Sequence, residues 1–287
     1  MKIVTDSAAD MPPEEIEFLG VTVAPLNIQF PEGNVTSEEI TPDDFYNRLR
    51  KMVPQVPKTS QPSAGVFAEI YRRIFALEEE ALSIHISSGL SGTLESARMG
   101  ASMVPEATVS LIDTLTLSGG ERFQVLAAAR AIKVGWNRQA IVQRLKEIQL
   151  ASEVEYTLGT LSYLARGGRI GRVQALAGSL LNLKPLIRVD TRDGKYSIAG
   201  KARTIQRALV ALTESLVHKY GDKTALCVTV LHGQFEEQAR RLAELLTANL
   251  HIARLEVLRV SPVLGVHTGP DVVGAAVVPS YLLDGIG

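Results

Sequence analysis

Apolar residues follow two different patterns along the first half of the chain. Short apolar runs predict β-strands at residues 2–5, 21–30, 81–86 and 107–113. Between them, apolar residues recur every three or four positions, as Val66, Ile70 and Ile74 do, and this spacing predicts one buried face of a helix. Helices are predicted at Pro13–Leu19, Pro42–Met52, Ala64–Glu79, Thr93–Met103 and Gly119–Val134. Strands that alternate with helices favour an α/β domain, with a parallel sheet and helices on both of its faces.

The second half of the chain follows a different order. WNRQAIVQRLKEIQLASEV (136–154) reads as an amphipathic helix and its exit, and two strand-like runs then flank Asp193-Gly194, a dipeptide typical of hairpin turns. Helices are predicted at 204–220 and 236–250, and strands at 224–233, 252–260 and 271–279. Hairpins mixed with helices predict an α+β domain. We therefore expect domains at 1–155 and 156–287, with a ligand in the cleft between them.

Charge and composition narrow the classes of function. The 287 residues carry 30 basic and 31 acidic side chains, a balance that argues against a general nucleic-acid-binding protein. Cys227 is the single cysteine, so neither an intrachain disulfide nor a cysteine-based metal site is expected. The N-terminus lacks the apolar segment of a signal peptide, and no run approaches the roughly 18 apolar residues of a spanning helix. We expect a cytoplasmic protein without stable membrane insertion.

Hydroxyl side chains are concentrated in two loops that each precede a predicted helix. The loops are PKTSQPSAG (57–65) and SSGLSGT (87–93), with hydroxyls at Thr59, Ser60, Ser63, Ser87, Ser88, Ser91 and Thr93. One such residue is enough to cap a helix, so exposed loops with ordinary capping are one interpretation. The other is a bound anion, because a charged acceptor strengthens each hydrogen bond and a helix N-terminus favours negative charge.

The second hydroxyl loop is also close to the G-x-S-x-G turn that carries the nucleophile of many hydrolases. Gly89-Leu90-Ser91-Gly92-Thr93 follows a predicted strand and opens a helix, but threonine stands where the motif has glycine. A serine hydrolase acting on acyl esters, with Ser91 as nucleophile and His267 as base, is therefore an alternative hypothesis. The sequence offers no obvious third member of a triad.

Two further polar segments are candidates for the same site. In TDSAAD (5–10), Asp6 is either an acceptor that orients loops or a turn residue, and Asp10 is predicted to cap the helix that follows. GVHTGP (265–270) is predicted to hold His267 in a turn, where the imidazole either donates to an anion or is an ordinary surface histidine. The histidines show no metal-ligand spacing, so no metal is expected.

Basic residues cluster in two loops of the second half. LARGGRIGR (164–172) combines three arginines with glycines, and AGKART (199–204) adds a lysine and an arginine just before a predicted helix. Such cations bind phosphate or an acidic partner surface, or they are simply solvated charges.

Taken in chain order, these segments closely resemble the DegV family of bacterial fatty-acid-binding proteins over nearly the whole chain. They are TDSAAD, PKTSQPS, SSGLSGT, LARGGRIG and HTGP. The resemblance implies a two-domain α/β protein that holds one long-chain fatty acid, such as palmitate, in a buried tunnel. It also implies a carrier subunit with no catalytic site and no cofactor, which presents the carboxylate to a separate kinase. The kinase forms an acyl phosphate with ATP, and the acyl phosphate enters phospholipid synthesis.

The resemblance also implies individual roles. It assigns the head-group site to Thr59, Ser60, Ser91, Gly92, Thr93 and His267. It places Arg169 and Arg203 near the tunnel mouth, where they would meet the kinase or the acyl phosphate. Two segments depart from the family pattern, namely Asp271, where a small residue is usual, and IDTLTLSGGERF (112–123).

Physical chemistry agrees with this implication. A buried acyl tail gains roughly 0.8 kcal/mol per methylene, whereas its carboxylate must regain the hydrogen bonds lost with water. Two hydroxyl loops and an imidazole would supply those hydrogen bonds. A regulatory protein-binding module that uses the arginine loops without any lipid is a third hypothesis.

Overall fold

The computed structural model describes residues 1–53, 55–176 and 183–286. The strands in these ranges are β1 (Lys2–Asp6), β2 (Thr22–Ala24), β3 (Asn27–Phe30), β4 (Gly33–Thr36), β5 (Lys58–Ser60), β6 (Ala81–His85), β7 (Val109–Asp113), β8 (Glu153–Leu158), β9 (Lys184–Asp190), β10 (Lys195–Ala202), β11 (Leu226–His232), β12 (Ile252–Arg259) and β13 (Val272–Pro279).

The helices of the same ranges are α1 (Pro13–Leu19), α2 (Pro42–Lys51), α3 (Ala64–Phe75), α4 (Thr93–Ser102), α5 (Gly119–Lys133), α6 (Arg138–Ala151), α7 (Ser162–Arg166), α8 (Ile205–Tyr220), α9 (Glu236–Asn249), α10 (Pro262–Thr268) and α11 (Tyr281–Asp284). Short 3-10 helices cover Ser7–Ala9 and Gly171–Leu176.

The first sheet is parallel, with strand order β2-β1-β6-β7. Helices α3 and α4 cover one face, where Phe67 and Tyr71 pack on Val4. Helix α5 covers the other face. The side chain of Ser63 caps α3 by accepting from the backbone N–H of Val66, as the loop sequence predicts. The predicted parallel sheet with helices on both faces is therefore confirmed.

The second sheet is mixed and has the strand order β10-β9-β8-β13-β11-β12. Every residue of the central strand β13 is buried. Helices α8 and α9 pack on one face around Leu212 and Leu242, and α5 also contacts β8 and β13. The predicted α+β character of this half is confirmed, including the hairpin at Asp193-Gly194 that joins β9 to β10.

Helix α5 lies between the two sheets, since it contacts β1 and β6 of the first and β8 and β13 of the second. Gly119 allows this close approach, because a Cβ there would lie 2.6 Å from the Cβ of Ala276. The chain leaves the first sheet at Asp113 and enters the second at Glu153. The domain boundary near residue 155 stays a prediction.

Several elements differ from the sequence-based prediction. The run 21–30 is not one strand, because Pro25 separates β2, in the parallel sheet, from β3, in a third sheet of order β4-β3-β5. Proline has no N–H to donate, so a single ladder cannot continue through it. Strand β8 occupies Glu153–Leu158, where a helix exit was expected, and α10 occupies Pro262–Thr268, where a turn was expected.

Candidate functional site: a hydroxyl and imidazole cluster beside an apolar cavity

Thr59 and His267 are the first pair of predicted site residues that the structure brings together. Thr59 lies in β5, whose register pairs it with Ile28 of β3, and His267 lies in the last turn of α10. The Thr59 Oγ1 and the His267 Nε2 are 2.8 Å apart, a hydrogen bond that spans 208 positions of sequence. Either atom donates, depending on the imidazole tautomer.

His267 is not an ordinary surface histidine, which was one of the two interpretations of the sequence, because its side chain is buried and only 8% exposed. Burial, assisted by the positive charge of Arg169, lowers the pKa of His267 to about 4. The ring is therefore neutral at pH 7. Its Nδ1 is buried without a hydrogen-bond partner among the described residues, and it faces Gly167, where a Cβ would lie 2.2 Å away.

The second hydroxyl loop touches the first. A Cβ on Gly92 would lie 3.0 Å from the Gln61 Nε2, so the backbone of one loop packs directly on a side chain of the other. The hydroxyls of Ser91 and Thr93 are 2.9 Å apart, and Thr93 is fully buried at the start of α4. Helix α4 has Gly92 as its N-cap, and the Ser91 hydroxyl accepts a long hydrogen bond of 3.3 Å from the backbone N–H of Thr93, the first residue of the helix.

Ser60 is half-buried at the end of β5, opposite Asn27 of β3. It follows Thr59 directly and precedes Gln61, and so belongs to the loop that contacts Gly92. Its role as a contributor to the head-group site stays a prediction.

Asp6 accepts hydrogen bonds from the backbone of two loops, as one interpretation of the sequence proposed. Its carboxylate accepts from the N–H groups of Ala8 and Ile86, each at 3.0 Å, and contacts the His85 Nδ1 at 3.0 Å. The His85 Nε2 in turn lies 2.7 Å from the Ser83 Oγ. This serine–histidine–aspartate chain is fully buried, so it orders the end of β1 rather than facing a substrate.

Arg169 lines a basic pocket of about 150 Å³ beside the second hydroxyl loop. Arg172 and Lys195 line the same pocket together with Gly89 and Leu90. The β9–β10 hairpin tip forms one wall and is locked to the loop, because the Ser87 hydroxyl donates to the carbonyl oxygen of Gly194 at 2.8 Å.

Arg203 is not part of this cluster. It is exposed and follows β10, whereas the pocket residue Lys195 begins that strand. Eight residues of extended chain separate the two by about 25 Å. Arg169 thus lines the basic pocket and Arg203 follows the other end of β10, and the role of each at the tunnel mouth stays a prediction.

An apolar cavity lies beside α10, the helix that carries His267. It lies between α10 and the second sheet, and its walls include Leu264 and Thr268 of α10, which flank His267 in the helix. Only about 30 Å³ of this cavity is wide enough for the centre of a water molecule. Tyr196 lines both this cavity and the basic pocket, so an apolar space and a cationic space share one wall.

A family model described as the DegV family of uncharacterised proteins matches residues 1–280. The chain belongs to the DegV family. A DegV domain-containing protein of Deinococcus radiodurans is 36% identical over 277 residues, which cover 96% of this chain and 95% of that protein. A second such protein of the same organism is 37% identical over 288 residues, covering 96% and 98%.

Solved DegV structures share the whole fold. A fatty-acid-binding DegV family protein from Thermus thermophilus has 33% identity and a TM-score of 0.89, covering 97% of this chain and 99% of that one. DegV from Bacillus subtilis, also a fatty-acid-binding protein, has 30% identity and a TM-score of 0.87, covering 96% and 98%. The family resemblance seen in the sequence is thereby confirmed.

Asp271, a departure from the DegV pattern, is paired. Its Oδ1 accepts from the Arg50 Nη2 at 2.7 Å, and Arg50 is held in turn by a bond from its Nε to the Gln234 side chain at 2.8 Å. The carboxylate is therefore neutralised by α2, and the repulsion of an anionic head group that an unpaired carboxylate would cause is reduced.

Four residues of the site were missed by the sequence reasoning. Gln61 and Gly167 lie inside segments that the DegV resemblance covers, but neither carries a recognisable chemical signal. Lys195 and Tyr196 follow the Asp193-Gly194 turn, and the dipeptide predicts the turn without predicting what the turn contacts.

The described residues were also compared with the requirements of a metal site and of a membrane-spanning helix. Among the described residues, no group of three or more histidine, cysteine, aspartate or glutamate side chains is arranged to hold a metal ion. No helix in these parts of the chain combines the length and apolar character that a bilayer crossing requires.

Proposed function

We propose that this protein binds one long-chain fatty acid, with the carboxylate at Thr59, Ser91 and His267 and the tail in the apolar cavity. The observation that carries the proposal is the adjacency of two unlike environments. Hydroxyl groups, a neutral imidazole and a basic pocket lie at one end, and an apolar space lined along α10 lies at the other. An amphiphile with an anionic head matches both. The two DegV proteins above, from Thermus thermophilus and Bacillus subtilis, are described as fatty-acid-binding, which supports the same ligand class.

The tail supplies most of the affinity in this proposal. Each buried methylene contributes roughly 0.8 kcal/mol, so a long chain gains more than any single polar contact. Ligand pockets usually measure about 300–1,000 Å³, whereas only about 30 Å³ of this cavity is wide enough for the centre of a water molecule. Binding therefore requires the walls around Leu264 and Tyr196 to separate along the tail.

The head group needs donors, and the cluster provides them. At neutral pH the imidazole of His267 carries one proton, because its pKa is about 4. When that proton is on Nε2 and is donated to Thr59, the threonine hydroxyl hydrogen is free to donate to a carboxylate. Ser91 donates from the neighbouring loop, and Ser60, Gly92 and Thr93 complete the surroundings.

The finer proposal is that the bound carboxylate is presented to a separate kinase. An acyl phosphate would form there from ATP and would enter phospholipid synthesis, and this chain would act as a carrier without a catalytic site of its own. Arg169 supports this step, since it lies in a basic pocket beside the hydroxyl loop. Phosphate groups favour such bidentate, permanently charged donors.

The hydrolase alternative has less geometric support. The imidazole of His267 bonds Thr59, and no hydrogen bond joins His267 to Ser91 among the described residues. The serine–histidine–aspartate chain that does form, Ser83–His85–Asp6, is fully buried. Labelling of Ser91 by a fluorophosphonate probe would favour the hydrolase over the carrier.

Native mass spectrometry tests the ligand class. Purified protein incubated with palmitate should gain one fatty-acid mass, and a variant with both Thr59→Ala and Ser91→Ala should lose most of it. Each single substitution is expected to weaken binding by about 1–3 kcal/mol, the cost of leaving a charged acceptor short of a donor. Ser102→Ala is the matched control, because this exposed hydroxyl lies at the other end of α4. A folded protein that takes up no fatty acid of any length would contradict the proposal.

The kinase step needs a separate assay. With a fatty-acid kinase catalytic subunit and ATP, Arg169→Ala should slow acyl-phosphate formation more than it weakens palmitate binding. Arg203→Ala is the comparison, because Arg203 lies at the far end of β10. Equal loss of phosphorylation in both variants would move the contact surface away from the basic pocket.

A further inference from the structure

Asp10 lies where three parts of the candidate site meet. Its carboxylate accepts from the Ser118 hydroxyl at 2.5 Å and from the backbone N–H of Ser261 at 2.8 Å. Ser118 lines the apolar cavity and directly precedes α5, and Ser261 directly precedes α10, the helix that carries His267. The helix-cap role predicted for Asp10 is wrong for α1, which starts after Pro12 without a side-chain cap.

Helix α10 is held closely at the end that Asp10 contacts. The Tyr46 hydroxyl donates to the carbonyl oxygen of Val260 at 3.1 Å. Gly265 brings the helix against α2, because a Cβ there would lie 2.7 Å from the same tyrosine oxygen. With seven residues, α10 is only about 10 Å long. His267 in its last turn therefore lies close to the end that Asp10 contacts.

Asp10 also stabilises the backbone conformation of Ser118. Its backbone has φ 56° and ψ −136°, a region disfavoured for residues with a Cβ. Such a conformation persists only where the surroundings determine it, and here the Ser118 N–H donates to the Ala8 carbonyl oxygen at 2.7 Å while its hydroxyl donates to Asp10. The carboxylate thus helps to hold a cavity wall in an unfavourable shape.

We infer that Asp10 is a positioning residue. In its ionised form it holds Ser118 and the start of α10 so that His267 meets Thr59, and its protonation loosens that arrangement. The predicted effect on lipid retention rests on the function proposed above, whereas the effect on His267 does not.

The titration lies in an accessible range. Burial raises the pKa of Asp10 to about 6, against the opposing effects of its two serine partners and of the positive charge on Arg122. The other ionisable groups that face it are Tyr46 and Glu121, and burial raises the pKa of each above its ordinary value. Below about pH 6 the charge-assisted hydrogen bonds become neutral ones, which are roughly half as strong.

Release of cis-parinaric acid to excess phospholipid vesicles tests the inference. In the unaltered protein, release should be about three- to tenfold faster at pH 5.5 than at pH 7.5, the range expected for weakening one charge-assisted bond. Asp10→Asn should release quickly at both values and show no pH step. Asp222→Asn, at an exposed turn, should behave like the unaltered protein. An Asp10→Asn protein that keeps slow release at pH 7.5, or keeps the pH step, overturns the inference.

A measurement without lipid keeps the two proposals apart. Long-range ¹H–¹⁵N spectra of the histidine rings should show the His267 signals moving between pH 7.5 and 5.5, above the ring's own pKa of about 4. The signals of the His267 ring are assigned as those that disappear from the spectrum of the His267→Gln variant. In Asp10→Asn the signals should already be at their low-pH positions. Signals that do not move in the unaltered protein overturn the role of Asp10, whereas failure to bind cis-parinaric acid at pH 7.5 overturns the proposed function.

Discussion

Substitution of Gly167 by alanine is a sharp test of the proposed head-group site, because the new methyl group would clash mainly with His267, and its next neighbour, the Tyr163 carbonyl oxygen, would lie 3.2 Å away. The backbone of Gly167 has φ −74° and ψ −4°, which alanine adopts without strain. The new methyl group would lie 2.2 Å from the His267 Nδ1. The imidazole must therefore move, or the turn after α7 must.

The size of the effect follows from two distances. An ordinary van der Waals contact begins at 3.4 Å, so the ring must retreat by about 1 Å. Because Nδ1 and Nε2 belong to one rigid ring, a shift of this size also displaces Nε2 and disrupts the 2.8 Å Thr59–His267 bond, which tolerates only a narrow range of distances and angles. Loss of that bond next to a bound carboxylate should cost about 1–3 kcal/mol of binding free energy, which raises the dissociation constant roughly 5- to 150-fold.

Displacement of cis-parinaric acid by palmitate measures this constant, and thermal unfolding reports whether the fold is retained. Gly135→Ala, in the turn between α5 and α6, is the control. Its φ of 82° makes alanine unfavourable, but no atom lies within 4 Å of the new methyl group. Gly135→Ala should lower stability and leave palmitate affinity unchanged, whereas Gly167→Ala should weaken palmitate binding. Unaltered palmitate affinity in a folded Gly167→Ala protein would show that His267 does not hold the head group.

Three further predictions concern the surroundings of the site. Gly194→Ala should lower the melting temperature by several degrees, because Gly194 has φ 65° and a Cβ would lie 1.8 Å from the Ser87 Oγ. Burial raises the pKa of Glu155 from 4.5 to about 7, so between these values the folded chain binds a proton that the unfolded chain releases. The free energy of unfolding should therefore rise as pH falls from about 8 to about 5. Calorimetry should show a smaller pH dependence in Glu155→Gln. Asp271→Asn should change stability by less than about 1 kcal/mol and palmitate affinity hardly at all, because its ion pair with Arg50 is about two-fifths exposed; a large loss of affinity would place Asp271 in the site.

Local patterns in the sequence were enough to place most elements. The bounds predicted for α1 match the structure, and those of α2, α4 and α5 differ by one residue. The secondary structure of segments with strong periodicity or clear caps depends mainly on residues nearby in the chain, and a single sequence contains that information. The strand at 21–30 failed because the two halves on either side of Pro25 join different sheets, and pairing partners far along the chain are not visible in a local pattern.

The candidate site shows the same division. Hydroxyl-rich loops were visible at Thr59 and Ser91, but their contact through Gln61 and Gly92 was not. His267 was assigned to a turn because it lies between a glycine and the sequence Thr-Gly-Pro. In the fold, Gly265 instead allows α10 to pack against α2, and tertiary packing overrides the local preference.

Asp10 illustrates why such a site departs from what stability alone would favour. A carboxylate buried with a pKa of about 6 is ionised at pH 7.5 at a cost in free energy, and Ser118 beside it has an unfavourable backbone conformation. A sequence selected only to fold would lose little by placing asparagine at the first position and glycine at the second. If Asp10 positions α10 for ligand binding, Asp10→Asn should melt at the same or a higher temperature at pH 7.5 while releasing ligand faster. A variant that loses stability and retention together would instead make Asp10 an ordinary structural residue.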